Sequence, residues 1–528
     1  MKKIVGWILA LAIALTLVGC SDNAKTYNIG EQKDFAGDSP LPILYIQTKA
    51  QGDDALDFVT KPVSEHVSEQ IASWTPNYVY PPAPYYEECS ISLKDEKEKL
   101  LLDAVDAEVK ARGNWTTTYD KKALRIRFAE KQSMLDLNDG AQARNWLLLA
   151  EYKDGSMLRN KTALSISREL LEKDGLYASD AEFVEVYINE QYWGIYLLAE
   201  MQQINENRVN ITEAEKNYTG TDIGYFLEFD GYFYTEDPWQ QFHVDYANNA
   251  ALIPYDGNGG SGSMIRCLPV NGSDAKKDVG FTIVSDIYSQ GQHDFISSYV
   301  NNIYRIMYEA AYNDTAYEFN DSLTDIVQSS ALTPREAVEK VVDVQSLVDL
   351  YIISELTCDA DIYWSSFFMS VDMGANGNGK LTFTAPWDFD SAMGNKNRSA
   401  KGKGFYASNI VPDVNGGPAG GGEYETINPW LVVLAYEDWY QDMIKEKWTT
   451  AYDNGVFDRA CEMIVTDTAQ YSDAFARNYE KWDNIAHSSF ANELSRQAAA
   501  CKTHAEAAQQ LLEWLQNRVA FLNEQWHL

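Results

Sequence analysis

The hydrophobic positions of this chain follow two rhythms. Up to about residue 330, short runs rich in β-branched and aromatic residues dominate: AVDAEVKARGN (104–114), ALRIRFAE (123–130), NWLLLAEY (145–152), FVEVYINEQYWGIYLLAE (183–200) and IGYFLEF (223–229). Their composition and alternation predict strands, with NEQYWG as a hairpin turn. One helix interrupts them, SMLRNKTALSISRELLEKDG, opening at Asp154 or Ser156 and closing at Gly175. Beyond 330 the period becomes helical in VDVQSLVDLYIISELT, INPWLVVLAYEDWYQDMIKEKW and AEAAQQLLEWLQNRVAFLNEQW. The sum is an α+β chain with a β-rich front, a mostly helical back and a cleft between two lobes. No internal repeat is visible, and NGGPAGGGE (415–423) reads as a flexible loop.

One stretch of the back half keeps a strand rhythm. SSFFMSVDM and GKLTFTAPW, joined by GANGNG, predict an antiparallel hairpin. Asp361 precedes its first strand and Asp388 follows its second, so the two carboxylates should converge at one end. Asp390 lies two residues further on, in PWDFDSAMGN (386–395). Metal-assisted phosphoryl transfer wants such a pair, one acid on the metal and the other accepting the proton of the attacking hydroxyl. Paired acids also serve glycoside hydrolysis and calcium binding, and aspartates near glycine also close turns.

The amino terminus, MKKIVGWILALAIALTLVGCSDN, has two lysines and an apolar run of signal-peptide length. Leu17-Val18-Gly19-Cys20 looks like a lipobox, so residues 1–20 are expected to be a lipoprotein signal peptide and Cys20 the lipidated residue. The bland alternative is a plain secretory signal with an incidental cysteine. Residues 21–40, polar and aperiodic, would tether the folded part to the membrane. The expected place is the cell envelope, extracytoplasmic, with Ser21 suiting outer-membrane sorting in a Gram-negative cell. Five further cysteines, Cys89, Cys267, Cys358, Cys461 and Cys501, are an odd number without CxxC spacing, so neither a disulfide framework nor a zinc site is indicated. A net charge of −35 argues against nucleic acid and anionic headgroups as partners.

RGNWTT (112–117), KKALRIRF (121–128), MLRNKTAL (157–164), VYINEQYWGIYLLAE (186–200), GYFLEFD (224–230) and PWDFDSAMGN resemble, in order, successive motifs of the CotH (spore coat protein H) kinase family. The similarity runs from about Leu41 to near the carboxyl end. It implies a CotH-type kinase domain over 41–528 with a two-lobed, atypical protein-kinase-like fold, the N-lobe about 41–235 and the C-lobe about 236–528. It also implies an enzyme that phosphorylates Ser or Thr of a secreted or surface protein, with ATP and Mg2+ or Mn2+ as cofactors. On the matching positions Asp361 would be the general base, Asp388 a metal ligand and Asp390 a second ligand. Lys122 would meet nucleotide phosphate, and Arg112, Asn114, Arg159 and Asn160 would contact phosphate or brace the cleft. Glu200 and Glu228, expected at strand ends of one sheet, would orient Lys122 or a metal.

Bland roles stand beside these. Arg112 and Arg159 would pair with carboxylates, Lys122 would lie on a solvated face, and Glu228 and Asp230 would cap the turn at Gly231. Trp387, Trp364 and Tyr363 would pack. No GxGxxG loop precedes the lysine strand, and Ser365 and Ser366 stand where protein kinases carry an asparagine ligand. A catalytically inactive surface adhesin or assembly protein on the same scaffold is the second reading. A carbohydrate hydrolase is the third.

Overall fold

A computed structural model describes residues 25–30, 40–52, 54–255, 257, 265–266, 279–359, 361–409, 427–485 and 493–528. The expected signal peptide with Cys20, most of the tether, Cys267 and the 415–423 loop lie outside the described residues.

Strands β1 (Ile43–Thr48), β2 (Glu87–Lys94), β3 (Leu100–Ala111), β4 (Leu124–Gln132), β5 (Ala143–Leu149), β6 (Ala181–Ile188) and β7 (Gln191–Glu200) close a barrel. Their order is β1-β2-β3-β4-β5-β7-β6, and β1 returns to β6 in parallel. On β4, Leu124, Ile126 and Phe128 are buried in the barrel core while Arg127 is exposed, the period-2 pattern of a sheet with one wet face. β5 and β7 differ because both of their faces are covered. Trp146, Leu148, Tyr196 and Leu198 fill the barrel, whereas Leu147, Leu149, Ile195 and Leu197 join the larger core beyond it. That is why NWLLL and IYLLA read as continuous apolar runs. The β6–β7 turn is Asn189-Glu190 alone, both with positive φ (49° and 64°) as a two-residue hairpin loop demands, so the rest of NEQYWG belongs to β7.

The second sheet contains β8 (Gly224–Asp230), β9 (Gln241–Phe242), β10 (Gly280–Ile283), β11 (Phe367–Asp372) and β12 (Leu381–Thr384), ordered β12-β11-β8-β10-β9. Glu200 and Glu228 therefore stand on different sheets, which corrects the expectation that they share one. Alternating apolar residues mark β8 as a strand but carry no information about its partner. The sheet draws strands from both sides of residue 235, since β8 pairs with β11.

The helix expected from Asp154 or Ser156 begins at Arg159 and runs to Leu171. The Asp154 carboxylate accepts from the N–H groups of Ser156 and Arg159, forming a turn before the helix. The chain then tightens through Glu172–Asp174 to Gly175 at φ 69°, the left-handed residue that ends it. A further helix, Gln290–Asn313, opens on the Ser289/Gln292 capping box and buries Ile296, Val300, Ile303 and Met307. Helical rhythm thus starts well before residue 330. Val344–Thr357 and His504–Trp526 form as expected, whereas 427–448 splits into Pro429–Val432 and Asp438–Asp453. The whole is mixed α+β, with a β-rich first part and a helical last part.

One half-buried group makes this packing acid-labile. His504 opens the last helix, stacks on Phe475 with ring centroids 3.9 Å apart, and its Nε2 lies 2.7 Å from the Ser156 carbonyl oxygen. Burial pushes its pKa down to about 4 from 6.5. Between those values the unfolded chain takes up a proton that the folded chain refuses, so stability present above pH 6.5 is lost as pH falls toward 4. We expect urea unfolding to show a loss of about 2 kcal/mol from this group between pH 7 and pH 5. The slope should be correspondingly shallower in His504→Phe; equal slopes would refute the assignment.

Candidate functional site

The register of β11 with β12, Phe368 opposite Thr384 and Val371 opposite Leu381, puts the connecting turn at one end and both aspartates at the other. Asp388 has a left-handed backbone, φ 70° and ψ 53°, a conformation that costs a non-glycine residue free energy. Its neighbours hold it there. Asn160 Oδ1 accepts from the Phe389 N–H at 2.8 Å, and the Ser366 hydroxyl donates to Asp388 Oδ2 at 3.3 Å. β8 brings in a further acid, because Glu228 lies opposite Phe368 and accepts from the Ser366 N–H at 2.9 Å. Asp361 donates its N–H to Asp359 Oδ1 (3.0 Å), and its own carboxylate meets Lys396 Nζ at 3.2 Å. Asp390 is ion-paired with the buried Lys153 at 3.1 Å.

The cluster is electrostatically crowded. Burial, then Asp390 and Asp361, push the Asp388 carboxyl up to about 6. Burial and Asp230 push Glu228 up to about 8, and burial with Asp361 nearby raises Asp359. Lys153 is the counterpart: burial opposes its charge, yet Asp390 and the other acids carry its pKa above the ordinary lysine range. Arg112, half-buried, lies near Asp388 and Glu228 and makes no ion pair among the described residues. A cavity lined by Arg112, Tyr119, Lys153, Trp387, Asp388 and Asp390 opens between them.

A divalent metal can be tested against this donor set. Among the described residues no three His, Cys, Asp or Glu side chains gather into an ion-binding group. The cavity is lined by three carboxylates, Asp388, Asp390 and Glu151; Glu151 is taken up by the Asn160 amide, and magnesium is ordinarily held by one or two carboxylates, here Asp388 and Asp390, with phosphate oxygens and water completing the shell. The mutual repulsion that raises Asp388 is also what a bound cation relieves. The residues fit an ion that arrives with a nucleotide.

The residues named from the sequence separate into three groups. Arg112, Asn160, Asp388 and Asp390 line the cavity, and Asp361 and Glu228 adjoin it through their charges. Arg159 braces it from behind: fully buried, it pairs with Asp154 and donates to the Met393 carbonyl (3.3 Å) and Gln510 Oε1 (2.5 Å). Lys122 and Glu200 are turned elsewhere, which corrects both expectations. The Lys122 ammonium donates to the carbonyls of Thr117 (2.5 Å) and Tyr119 (3.0 Å), closing the loop before β4. Glu200 is buried against Arg208 at 3.1 Å. Asn114 is exposed and precedes a 3-10 turn that it does not cap. Of the bland roles, Asp230 does cap the turn after β8, accepting from the Tyr232 N–H at 2.8 Å.

Sequence reasoning missed Lys153, Glu151, Asp359 and Lys396. Lys153 had a visible signal, a single lysine directly after a strand apolar on both faces and before a helix-opening aspartate. Glu151 receives both amide contacts of Asn160 Nδ2 (3.0 and 3.2 Å), and burial, then Asp154, lift its pKa well above normal. Nothing local distinguishes Glu151 from the many exposed glutamates.

The family model described as CotH kinase protein matches residues 109–522, which contain every cavity residue named above. Over 108 residues the chain is also 32% identical to the inner spore coat protein H of Bacillus subtilis (strain 168), a match covering 20% of this chain and 26% of that protein. The chain therefore spans about a quarter of that curated relative. By the extent of the family match, this chain belongs to the CotH kinase family.

Proposed function

We propose that the protein is a lipid-anchored, extracytoplasmic Ser/Thr protein kinase of the CotH type, with an atypical kinase-like arrangement of two lobes. Its reaction passes the γ-phosphoryl group of ATP to a hydroxyl of a surface or secreted protein. The observation that carries this reading is the meeting of Asp361, Asp388 and Asp390 with Arg112 and Lys153 at one end of the β11–β12 hairpin. A polyanionic substrate needs both the cations and a place for its metal, whereas a glycosidase needs two carboxylates and a sugar groove.

Arg112 and Lys153, which line the same cavity, bind phosphate oxygens of the nucleotide. Asp388 and Asp390 would hold Mg2+ or Mn2+, which when bound offsets the charge of the β- and γ-phosphates. Asp361 accepts the proton of the acceptor hydroxyl as its oxygen bonds to the γ-phosphorus and the bond to the β–γ bridging oxygen breaks, leaving ADP. Asn160 keeps the Asp388 loop in place through the Phe389 N–H. Cys20, just past the expected signal peptide, would carry the lipid.

Purified protein incubated with γ-labelled ATP and Mg2+ or Mn2+ should label itself or an added protein acceptor, and Asp361→Ala and Asp388→Ala should not. Equal labelling by all three proteins would sink the reading. If catalysis has been lost, the remaining role is a surface binding or assembly protein, recognised by the lack of any metal-dependent nucleotide effect on melting. A ligand at 100 times its Kd should add about 2.7 kcal/mol. In cells, Cys20→Ala should abolish incorporation of labelled fatty acid; retained label would overturn the anchor.

A further inference from the structure

We propose that Lys396 is a further catalytic residue, touching the phosphoryl group in transit beside Asp361; this rests on the kinase reading above. Its ammonium is 3.2 Å from Asp361 Oδ1 and its side chain about one-fifth exposed (21%), whereas the Lys153 side chain is almost wholly buried (7%) and bound to both Asp390 and the Ser391 hydroxyl. Lys153 therefore serves the metal-binding acid and the leaving-group side. Lys396 stands on the acceptor side, where the hydroxyl that donates to Asp361 must lie. A phosphoryl group passing between these places has its equatorial oxygens within reach of a lysine that already contacts the base. Charge spreads over those oxygens in the transition state, and a cation fixed there acts on that charge more than on the bound nucleotide.

The loop carrying Lys396 is built to hold it. Gly394, at φ 79°, lies so close to Trp514 that a Cβ there would come within 2.5 Å of the indole ring, so the loop can press against the last long helix only because the residue is glycine. The Gly394 N–H donates to Ser399 Oγ at 3.1 Å, the Ser495 N–H donates to the Asn395 carbonyl at 2.6 Å, and Lys396 itself bridges to Leu494. The buried Asn395 Nδ2 reaches back to the Asp390 carbonyl at 2.6 Å, so the metal-binding acid and Lys396 are registered by one rigid loop. A lysine meant only to solvate a carboxylate needs none of this bracing.

The balance of the step is unchanged. The acceptor oxygen–phosphorus bond forms, the bridging bond breaks, the hydroxyl proton goes to Asp361, and Lys396 keeps its protons while contacting non-bridging oxygens.

Lys396→Met and Lys396→Arg would be compared with wild type in single-turnover transfer from ATP and, by calorimetry, in binding of ADP alone and of Mg–ADP with aluminium fluoride as a mimic of the group in flight. The methionine variant should lose about 10²- to 10³-fold in the transfer rate. It should bind ADP within about threefold of wild type and lose most of the extra affinity for the fluoride complex, because the contact forms only in the transition state. Arginine should restore a substantial part of both. Wild-type transfer by Lys396→Met, or equal losses for ADP and the fluoride complex, would overturn the assignment while leaving the kinase reading intact. A wild-type protein that binds metal-nucleotide but transfers no phosphate overturns both.

Discussion

Asp388→Asn should lose phosphoryl transfer by about 10³-fold or more, yet unfold at a higher denaturant concentration than wild type when no ligand is bound. The two effects share one cause. Asp388 is half-buried beside Asp390 and Asp361, and its pKa of about 6 lies above the 3.8 of an unperturbed aspartate. A carboxyl whose folded pKa is raised binds its proton more tightly in the native state, so it costs stability as pH rises from about 4 through 6, and the full cost is present at pH 7. Removing the charge should return on the order of 2–3 kcal/mol. Asparagine also tolerates the left-handed backbone at this position, so the loop need not rearrange. Urea unfolding at pH 7 and at pH 4 would measure it: the stabilisation should be large at the first and small at the second. A variant that is both inactive and destabilised at pH 7 would show that Asp388 is a structural acid.

Glu355→Ala should have the largest effect on stability, about 3–5 kcal/mol. Glu355 and Arg518 are both fully buried and paired at 2.8 Å, and the carboxylate also accepts from the N–H groups of Tyr406 (2.6 Å) and Ser408 (3.2 Å). Arg518 donates to the Glu355 carbonyl as well and to that of Gly404 at 2.7 Å. One ion pair thus binds the helix Val344–Thr357 to the helix His504–Trp526 and to the segment around 402–408. The first of these helices leads directly into Asp359 and Asp361. Truncating Glu355 leaves a guanidinium buried without its counter-charge, which is where most of the cost arises. Denaturant unfolding of the single variant and of Glu355→Ala with Arg518→Met would test it. The double variant should be much less destabilised than the sum of the two singles, and strict additivity would show that the pair is not the cause.

The legible part of the site was its acid half. Asp361 and Asp388 could be brought together from sequence because a hairpin with a marked turn fixes which residues share its open end. Asp390 followed by proximity. The cationic half was read less well. Lys122 matches a family motif, but a lysine's direction depends on which carbonyls lie within reach, and those of Thr117 and Tyr119 capture it. Lys153, from a position between strand and helix, points to Asp390, a residue more than 200 positions away in the chain. Glu200 was misplaced for a similar reason, since the partner that absorbs its charge, Arg208, is brought to it by a turn of irregular chain.

What the sequence determined by itself is whatever depends on periodicity and short-range turn chemistry. That covers the strand and helix runs, the doubly apolar β5 and β7, the β11–β12 hairpin and the convergence of its two aspartates. Local rules suffice there because alternation of period 2 or 3.6 decides which face is apolar, and a tight turn decides the register. The tertiary structure alone decided that β8 leaves the barrel to pair with β11, that Glu228 thereby joins the acids, and that Lys153 meets Asp390 while Lys396 meets Asp361. Those outcomes rest on which distant surfaces bury each other and which charges must then be matched at low dielectric, quantities that no window of sequence contains.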